Sequence, residues 1–196
     1  MVKPFVPNDY FAQKAKAQGL LARSAFKLEA INEKFSILQA GQVVLDLGAA
    51  PGSWLQVASS IVGPEGQVVG VDLSPIKFAA PNLITFQMDI LDPGIIKILE
   101  SYSPFDVIIS DLAPKTTGIK DRDQALSLEL DQQVINLAQN LLRVGGDVII
   151  KIFQSPDTKR FVREISRLFK TVHTYKPPAS RDRSFETYII ALNKID

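Results

Sequence analysis

Three aspartates follow three predicted strands at the place where α/β sheets bind ligands. Asp72, Asp89 and Asp111 each come after a short apolar run that is typical of a buried strand. Because the carboxyl ends of parallel strands converge on one crevice, we expect the three carboxylates to face the same ligand. Asp72 also has the spacing from a glycine turn that is typical of an acid bonding ribose hydroxyls. Any one of them alone could be a helix cap or turn former, but the three together predict a site.

Two lysines in apolar surroundings are the second source of chemistry. Lys151 interrupts the apolar predicted strand Asp147 to Phe153. An ammonium is costly to bury unless it is paired, and burial makes a lysine give up its proton more readily. Lys27 lies at the edge of the apolar stripe of a predicted helix, where a long side chain can pack and still present its charge. The simpler interpretations are that Lys151 reaches solvent from the end of its strand and that Lys27 is a solvated surface lysine.

A glycine-rich turn connects the apolar run Val43 to Leu47 with a helix that starts near Trp54. Gly48 and Gly52 allow a tight turn and a close approach of the backbone to a ligand, and the helix N-terminus offers N–H groups. The spacing is not that of a dinucleotide site, and Pro51 removes an N–H that a pyrophosphate would use. A nucleoside cofactor without a phosphate chain fits better, and S-adenosylmethionine is the obvious candidate.

Composition excludes several other kinds of site. The chain has no cysteine, which excludes disulfides and thiolate metal sites, and its single histidine, His173, argues against a histidine metal site or a serine–histidine relay. We therefore expect no metal. Its 196 residues suffice for one well-buried domain. No apolar run approaches the roughly 20 residues of a membrane span, and no signal-peptide core is present, so we expect a cytoplasmic protein.

Charge is distributed unevenly although the formal net charge is only +1. Residues 1–34 carry six Lys/Arg against three Asp/Glu, and residues 151–186 carry nine against four. The middle, residues 35–150, carries six against thirteen. Basic ends around an acidic middle are typical of a protein whose flanks hold a polyanion, although ordinary solvated helix faces explain the counts equally well.

Seven predicted strands alternate with helices in the order expected of a doubly wound α/β sheet. The strands cover residues 43–47, 67–71, 83–86, 106–110, 147–153, 171–175 and 185–192, and the helices cover 9–19, 23–34, 53–61, 95–101, 124–143 and 157–169. The last two strands have no crossover helix between them, so we expect antiparallel neighbours at one edge. The predicted fold is a seven-stranded, mostly parallel sheet with helices on both faces, an antiparallel C-terminal edge and a short N-terminal helical extension.

Five motifs in order make the sequence resemble the FtsJ/RrmJ family of S-adenosylmethionine-dependent RNA ribose 2′-O-methyltransferases. The motifs are ARSAFKL at 22–28, DLGAAPG at 46–52, SDLAP at 110–114, KIFQ at 151–154 and SRDRSFE at 180–186. The resemblance extends from Tyr10 to Leu192. One departure is Ser53, where the family usually has a second glycine before the tryptophan.

The resemblance implies a Rossmann-like methyltransferase fold and a role for each motif. A lysine–aspartate–lysine–glutamate catalytic tetrad would fall on Lys27, Asp111, Lys151 and Glu186. We assign Lys151 as the base for the ribose hydroxyl, or alternatively as an ammonium that stabilises the developing alkoxide. S-adenosylmethionine would contact the following residues: Gly48, Ala49, Pro51, Gly52, Trp54, Asp72, Asp89 and Asp111.

The resemblance also makes RNA the expected partner, with large-subunit ribosomal RNA favoured and the tRNA anticodon loop an alternative. The side chains expected to flank the RNA are Lys14, Lys16, Arg23, Arg181 and Arg183. We expect a monomer, with residues 1–36 as an RNA-contacting extension and 37–196 as the catalytic core. A small-molecule methyltransferase would have no reason for the lysine in the fifth strand. A non-catalytic RNA-binding module would be expected to lack part of the tetrad.

Overall fold

The computed structural model describes residues 10–114, 120–154, 157–180 and 184–196, with side chains from residue 125 onward in the second range. Its sheet has seven strands: β1 (Val43–Leu47), β2 (Gln67–Asp72), β3 (Leu83–Gln87), β4 (Phe105–Ser110), β5 (Leu142–Phe153), β6 (Phe169–Tyr175) and β7 (Glu186–Lys194). The helices are α1 (Tyr10–Ala17), α2 (Ala25–Phe35), α3 (Ser53–Val62), α4 (Ile95–Leu99), α5 (Lys120–Leu141) and α6 (Thr158–Ile165). A short 3₁₀ turn, Glu100–Tyr102, follows α4.

The strands lie in the order β3-β2-β1-β4-β5-β7-β6. The first five pair in parallel, whereas β7 is antiparallel to both β5 and β6. The predicted mostly parallel sheet with an antiparallel C-terminal edge is therefore confirmed. Because β7 runs against its neighbours, its first residue lies at the edge where β1 to β5 end.

The central strands read as continuous apolar runs because helices cover both of their faces. On one face, α2 and α3 pack against the sheet, as Leu28 and Leu55 do in the cluster that contains Val44. On the other face, α4, α5 and α6 contribute to a second cluster with Leu45 and Ile108. Alternate residues of one strand thus belong to two different cores. None of the helices in the described residues is long and apolar enough to span a membrane.

The boundaries near residues 120, 142 and 169 differ from the sequence predictions. Helix α5 begins at Lys120, four residues before the predicted boundary at residue 124. Strand β5 begins at Leu142 instead of Asp147, because Leu142 pairs with Phe105 across an irregularity in register. The close approach of the two strands there favours glycine at position 146, because a Cβ would lie only 2.8 Å from the Asp106 carbonyl oxygen. Helix α6 ends at Ile165, and Phe169 already belongs to β6.

Candidate active site

Four elements bring the four predicted catalytic residues to the carboxyl edge of the sheet. Asp111 directly follows β4, Lys151 lies near the end of β5, and Glu186 begins β7. Lys27 lies on α2, whose apolar face packs on α3 and on one face of the sheet. The antiparallel direction of β7 matters most here, because a parallel strand would place its first residue at the opposite edge.

Lys27 and Glu186 form a nearly buried ion pair. The distance from Lys27 Nζ to Glu186 Oε1 is 2.5 Å, and the two side chains are 8% and 13% exposed. Burial raises the pKa of Glu186, but the hydrogen bond and the positive charge of Lys27 outweigh it, so the pKa lies below its ordinary value. The carboxylate therefore stays ionised and fixes the position of the Lys27 ammonium.

Lys151 and Asp111 form the second pair. Lys151 Nζ lies 3.2 Å from Asp111 Oδ1 and also donates a hydrogen bond to the Asp111 backbone carbonyl. The Lys151 side chain is 8% exposed and that of Asp111 is 20% exposed. Lys151 therefore does not reach solvent from a strand end, as the simpler interpretation of the sequence required. Its ammonium is held by Asp111, the residue that directly follows β4.

Tyr188 joins the two pairs and was missed in the sequence. Its hydroxyl donates a hydrogen bond of 2.8 Å to Asp111 Oδ1, and its ring lies 5.8 Å from Lys27 Nζ. The residue is fully buried and pairs in register with Lys151. The sequence signal was its position two residues after Glu186, which places both side chains on the same face of a strand.

A cavity of about 400 Å³ opens beside Asp111 at the same edge. Of the predicted cofactor residues, four line it: Gly48, Asp72, Asp89 and Asp111. Apolar side chains complete the wall, among them Leu73, Met88, Ile90 and Leu112. This volume and this mixture of apolar wall and few polar groups are typical of a small-molecule site. The three aspartates at strand ends thus share one cavity, as their positions predicted.

The glycine turn is held by backbone hydrogen bonds that involve Asp72. The N–H groups of Gly48 and Ala49 both donate to the Val71 carbonyl oxygen, at 2.9 and 3.1 Å. Asp72 accepts from the Ala50 N–H through one carboxylate oxygen and from the Ser74 N–H through the other, at 2.9 and 2.7 Å. Asp72 therefore shapes the turn as well as lining the cavity.

The remaining predicted cofactor residues do not line the cavity. Ala49 and Gly52 are buried, and Pro51 is exposed on the outer side of the turn. Trp54 is 3% exposed, and its indole N–H donates to the Ser24 carbonyl oxygen at 2.9 Å. Its ring packs against Tyr188 with centroids 5.8 Å apart. The structure thus places Trp54 in the packing between the turn and the tetrad.

Two buried acids near the site were not singled out in the sequence. Asp46 on β1 is fully buried, and its carboxyl oxygens have no hydrogen-bond partner among the described residues. Burial, followed by the charges of Asp111 and Asp72, raises its pKa well above the ordinary value. Asp131 on α5 is 7% exposed, and burial raises its pKa to about 7 against the opposing charge of Lys151. The signal for Asp131 was its place on the same helical stripe as Val134.

The predicted RNA-contacting residues are only partly described. Lys14 and Lys16 lie exposed on α1, with Lys14 Nζ 4.7 Å from the Phe26 ring centroid. Arg23 is half-buried before α2. Arg181 and Arg183 lie outside the described residues. The structure thus places three of the five basic side chains on the N-terminal helical segment that also supplies Lys27.

The sequence matches the profile of a known family and several curated proteins over most of its length. The FtsJ-like methyltransferase profile matches residues 20–194. The chain is 42% identical over 191 residues to the ribosomal RNA large subunit methyltransferase E of Bdellovibrio bacteriovorus, covering 96% of this chain and 97% of that protein. It is 43% identical over 197 residues to the protein of the same name from Myxococcus xanthus, covering 99% and 92%.

Solved structures share the fold. A Plasmodium falciparum protein described as a ribosomal RNA methyltransferase superimposes with a TM-score of 0.76 at 25% identity, covering 88% of this chain and 97% of that one. Fibrillarin from Aeropyrum pernix, solved with natively bound S-adenosyl-L-methionine, gives a TM-score of 0.61 at 23% identity, covering 86% and 76%. The fibrillarin similarity is one of fold.

Proposed function

The chain belongs to the FtsJ-like methyltransferase family, and from that premise we propose that it methylates a ribose 2′-hydroxyl of large-subunit ribosomal RNA. The family resemblance inferred from the motifs is thereby confirmed. The observation that carries the proposal is the pair of nearly buried lysines, each held by a carboxylate, beside an acidic cavity. The names of the relatives favour large-subunit ribosomal RNA over tRNA as the substrate.

S-adenosylmethionine is the methyl donor of this family and fits the cavity. It supplies an electrophilic methyl group on a positively charged sulfonium. Asp72, Asp89 and Asp111 offer carboxylates for the positive groups and ribose hydroxyls of such a ligand, and the apolar wall suits its adenine. A phosphate-bearing cofactor would be repelled by the same three carboxylates.

Lys151 is the residue that acts on the ribose hydroxyl in this proposal. A 2′-hydroxyl is a poor nucleophile at neutral pH, so it must be aligned and its proton must be accepted as the new bond forms. Alignment in a site of this kind can be worth roughly 7–11 kcal/mol. Lys151 as the amine would accept the proton, and as the ammonium it would stabilise the developing charge on the oxygen.

Lys27, Glu186 and Asp111 orient the reaction. Glu186 holds the Lys27 ammonium, which is therefore available to a substrate oxygen at a fixed place. Asp111 holds Lys151 and also lines the cavity, so it links the base to the cofactor site. Exclusion of water from both pairs strengthens these interactions.

The RNA is expected to lie along the basic N-terminal segment. Lys14, Lys16 and Arg23, together with Arg181 and Arg183, would contact its phosphates, and such contacts position a substrate without reading its sequence. We propose residues 1–36 as the RNA-contacting extension and 37–196 as the catalytic core. We further propose that the protein acts as a cytoplasmic monomer without a metal.

The test uses purified protein, labelled S-adenosylmethionine, and large ribosomal subunits, ribosomal RNA and tRNA from cells that lack this enzyme. Digestion and mass spectrometry of the labelled RNA should place one ribose methyl group in large-subunit ribosomal RNA. Label in tRNA alone would keep the reaction and overturn the substrate. Absence of label in every RNA, with cofactor binding demonstrated by calorimetry, would contradict the proposal.

A further inference from the structure

We infer that Tyr188 is a positioning residue for methyl transfer, which acts by holding the carboxylate of Asp111. The inference rests on the proposed function and adds a fifth side chain to the four that the motifs indicate. Tyr188 does not itself line the cavity, and it is fully buried. Its effect on the reaction must therefore be transmitted through the groups that it touches.

The hydrogen bonds at Asp111 Oδ1 carry the inference. This one oxygen accepts from the Tyr188 hydroxyl at 2.8 Å and faces Lys151 Nζ at 3.2 Å. Two donors on the same oxygen fix the rotation of the carboxylate and leave the second oxygen for a group bound in the cavity. Without the hydroxyl, Lys151 would be the one remaining partner of this oxygen within the described residues, and the same lysine acts on the ribose hydroxyl in the proposed function.

The surroundings of Tyr188 make its hydroxyl a permanent donor. Burial raises the pKa of the phenol far above its ordinary value, and the negative charges of Asp111 and Glu186 raise it further. The proton therefore stays on Tyr188 at neutral pH, and the residue does not compete with Lys151 as a base. A hydrogen bond to a charged acceptor in a dry site is of the stronger kind.

The ring of Tyr188 connects the tetrad with the turn beside the cavity. It packs on Trp54, which follows Gly52 of that turn, and lies under Lys27. Its backbone pairs with Lys151 on one side and with Tyr175 on the other. Phenylalanine at position 188 would keep the packing and the strand register, so its hydroxyl can be removed selectively.

Tyr188→Phe tests the inference, with Tyr175→Phe as the matched control on the neighbouring strand. In single-turnover assays at saturating cofactor and RNA, Tyr188→Phe should react about 10- to 100-fold more slowly, as expected for losing a hydrogen bond to a charged group. The KM values should change less than about threefold.

Three outcomes separate the possibilities. Wild-type protein without activity would refute the proposed function itself. Active wild type with an unchanged single-turnover rate in Tyr188→Phe would overturn this inference alone. An equal loss in Tyr175→Phe would also overturn it, because that loss would reflect strand stability. If Tyr188→Phe folds poorly, wild type and Asp111→Asn are both labelled with fluorotyrosine and compared by fluorine NMR. Only the Tyr188 resonance should differ between the two proteins, and an unchanged Tyr188 resonance would overturn the inference.

Discussion

Lys151 is a charged residue inside a strand, and its environment determines what it can do. Asp111 and the Asp111 carbonyl oxygen hold its ammonium, and the side chain is almost entirely buried. Such a lysine has lost most of its hydration, and in the described part of the chain its ion-pair partner is Asp111. The chemistry that we propose for this protein therefore depends on a few atoms at the ends of β4 and β5.

Lys151→Met should reduce single-turnover methyl transfer by a factor of about 10² to 10⁴, the usual contribution of a general acid or base. The cofactor Kd should stay within about threefold, because Lys151 does not line the cavity. Lys170→Met, an exposed lysine on β6, is the control and should react at the wild-type rate. Wild-type turnover in Lys151→Met would exclude both roles proposed for this residue.

Asp131 makes a second prediction at this scale, because its pKa is about 7 in the folded protein against an ordinary 3.8. The folded protein binds a proton there that the unfolded chain does not, so the free energy of unfolding falls as pH rises from about 4 to 7. Asp131→Asn should remove this loss and stabilise the protein by on the order of 2–4 kcal/mol at pH 8.

The measurement is denaturant unfolding of Asp131→Asn and wild type at pH 4.5 and pH 8. The gain should be largest at pH 8 and small at the lower pH. Glu129→Gln, an exposed substitution on the same helix, serves as the control for a change in net charge. An equal gain at both pH values would contradict a buried, protonated carboxyl at position 131.

At the scale of elements, the turn between β1 and α3 depends on a glycine with positive φ. Gly52 has φ of 119°, and a Cβ there would lie 2.5 Å from Phe78 Cβ. Gly41 also has a positive φ, 82°, but a Cβ would meet nothing within 4 Å. Substitution of the two glycines therefore distinguishes the cost of backbone strain, which both share, from the cost of a steric clash, which occurs only at Gly52.

Gly41→Ala should cost about 1 kcal/mol of stability, and Gly52→Ala about 2–4 kcal/mol, because the clash adds to the strain. Only Gly52→Ala should weaken binding of S-adenosylmethionine, since its turn borders the cavity. Thermal unfolding and calorimetric titration of the two variants give both quantities. If the two substitutions change the cofactor affinity equally, the turn is not part of the proposed cofactor site.

On the scale of the whole molecule, we propose that the basic N-terminal segment contacts RNA and that the acidic cavity holds the cofactor. Phosphate contacts release counterions, so RNA affinity should fall as salt concentration rises. Lys14→Gln and Lys16→Gln should each reduce the slope of log affinity against log salt by about 1. Lys97→Gln on α4, on the opposite face of the sheet, should leave the slope unchanged. Binding that is indifferent to salt would contradict this arrangement.

The sequence by itself determined the sheet, the family and the residues that carry charge into apolar surroundings. Apolar runs and the acids that follow them reflect local chain chemistry, so Asp72, Asp89 and Asp111 could be assigned to one edge before any coordinates. The same holds for Lys151, because an ammonium within an apolar strand is unusual wherever it occurs. The boundaries of α5, β5 and α6 differed, because pairing with a neighbouring strand outweighs local preference.

Only the tertiary structure decided which side chains are partners in the site. The antiparallel insertion of β7 between β5 and β6 brings Glu186 to Lys27 and Tyr188 to Asp111, and these partners lie 159 and 77 positions apart in the chain. Trp54 was predicted to contact the cofactor, but it packs between Ser24 and Tyr188. Asp46 and Asp131 gained their raised pKa values from burial. Such effects arise from contacts between distant segments, whereas the local pattern indicates at most which face of a helix or strand a residue occupies.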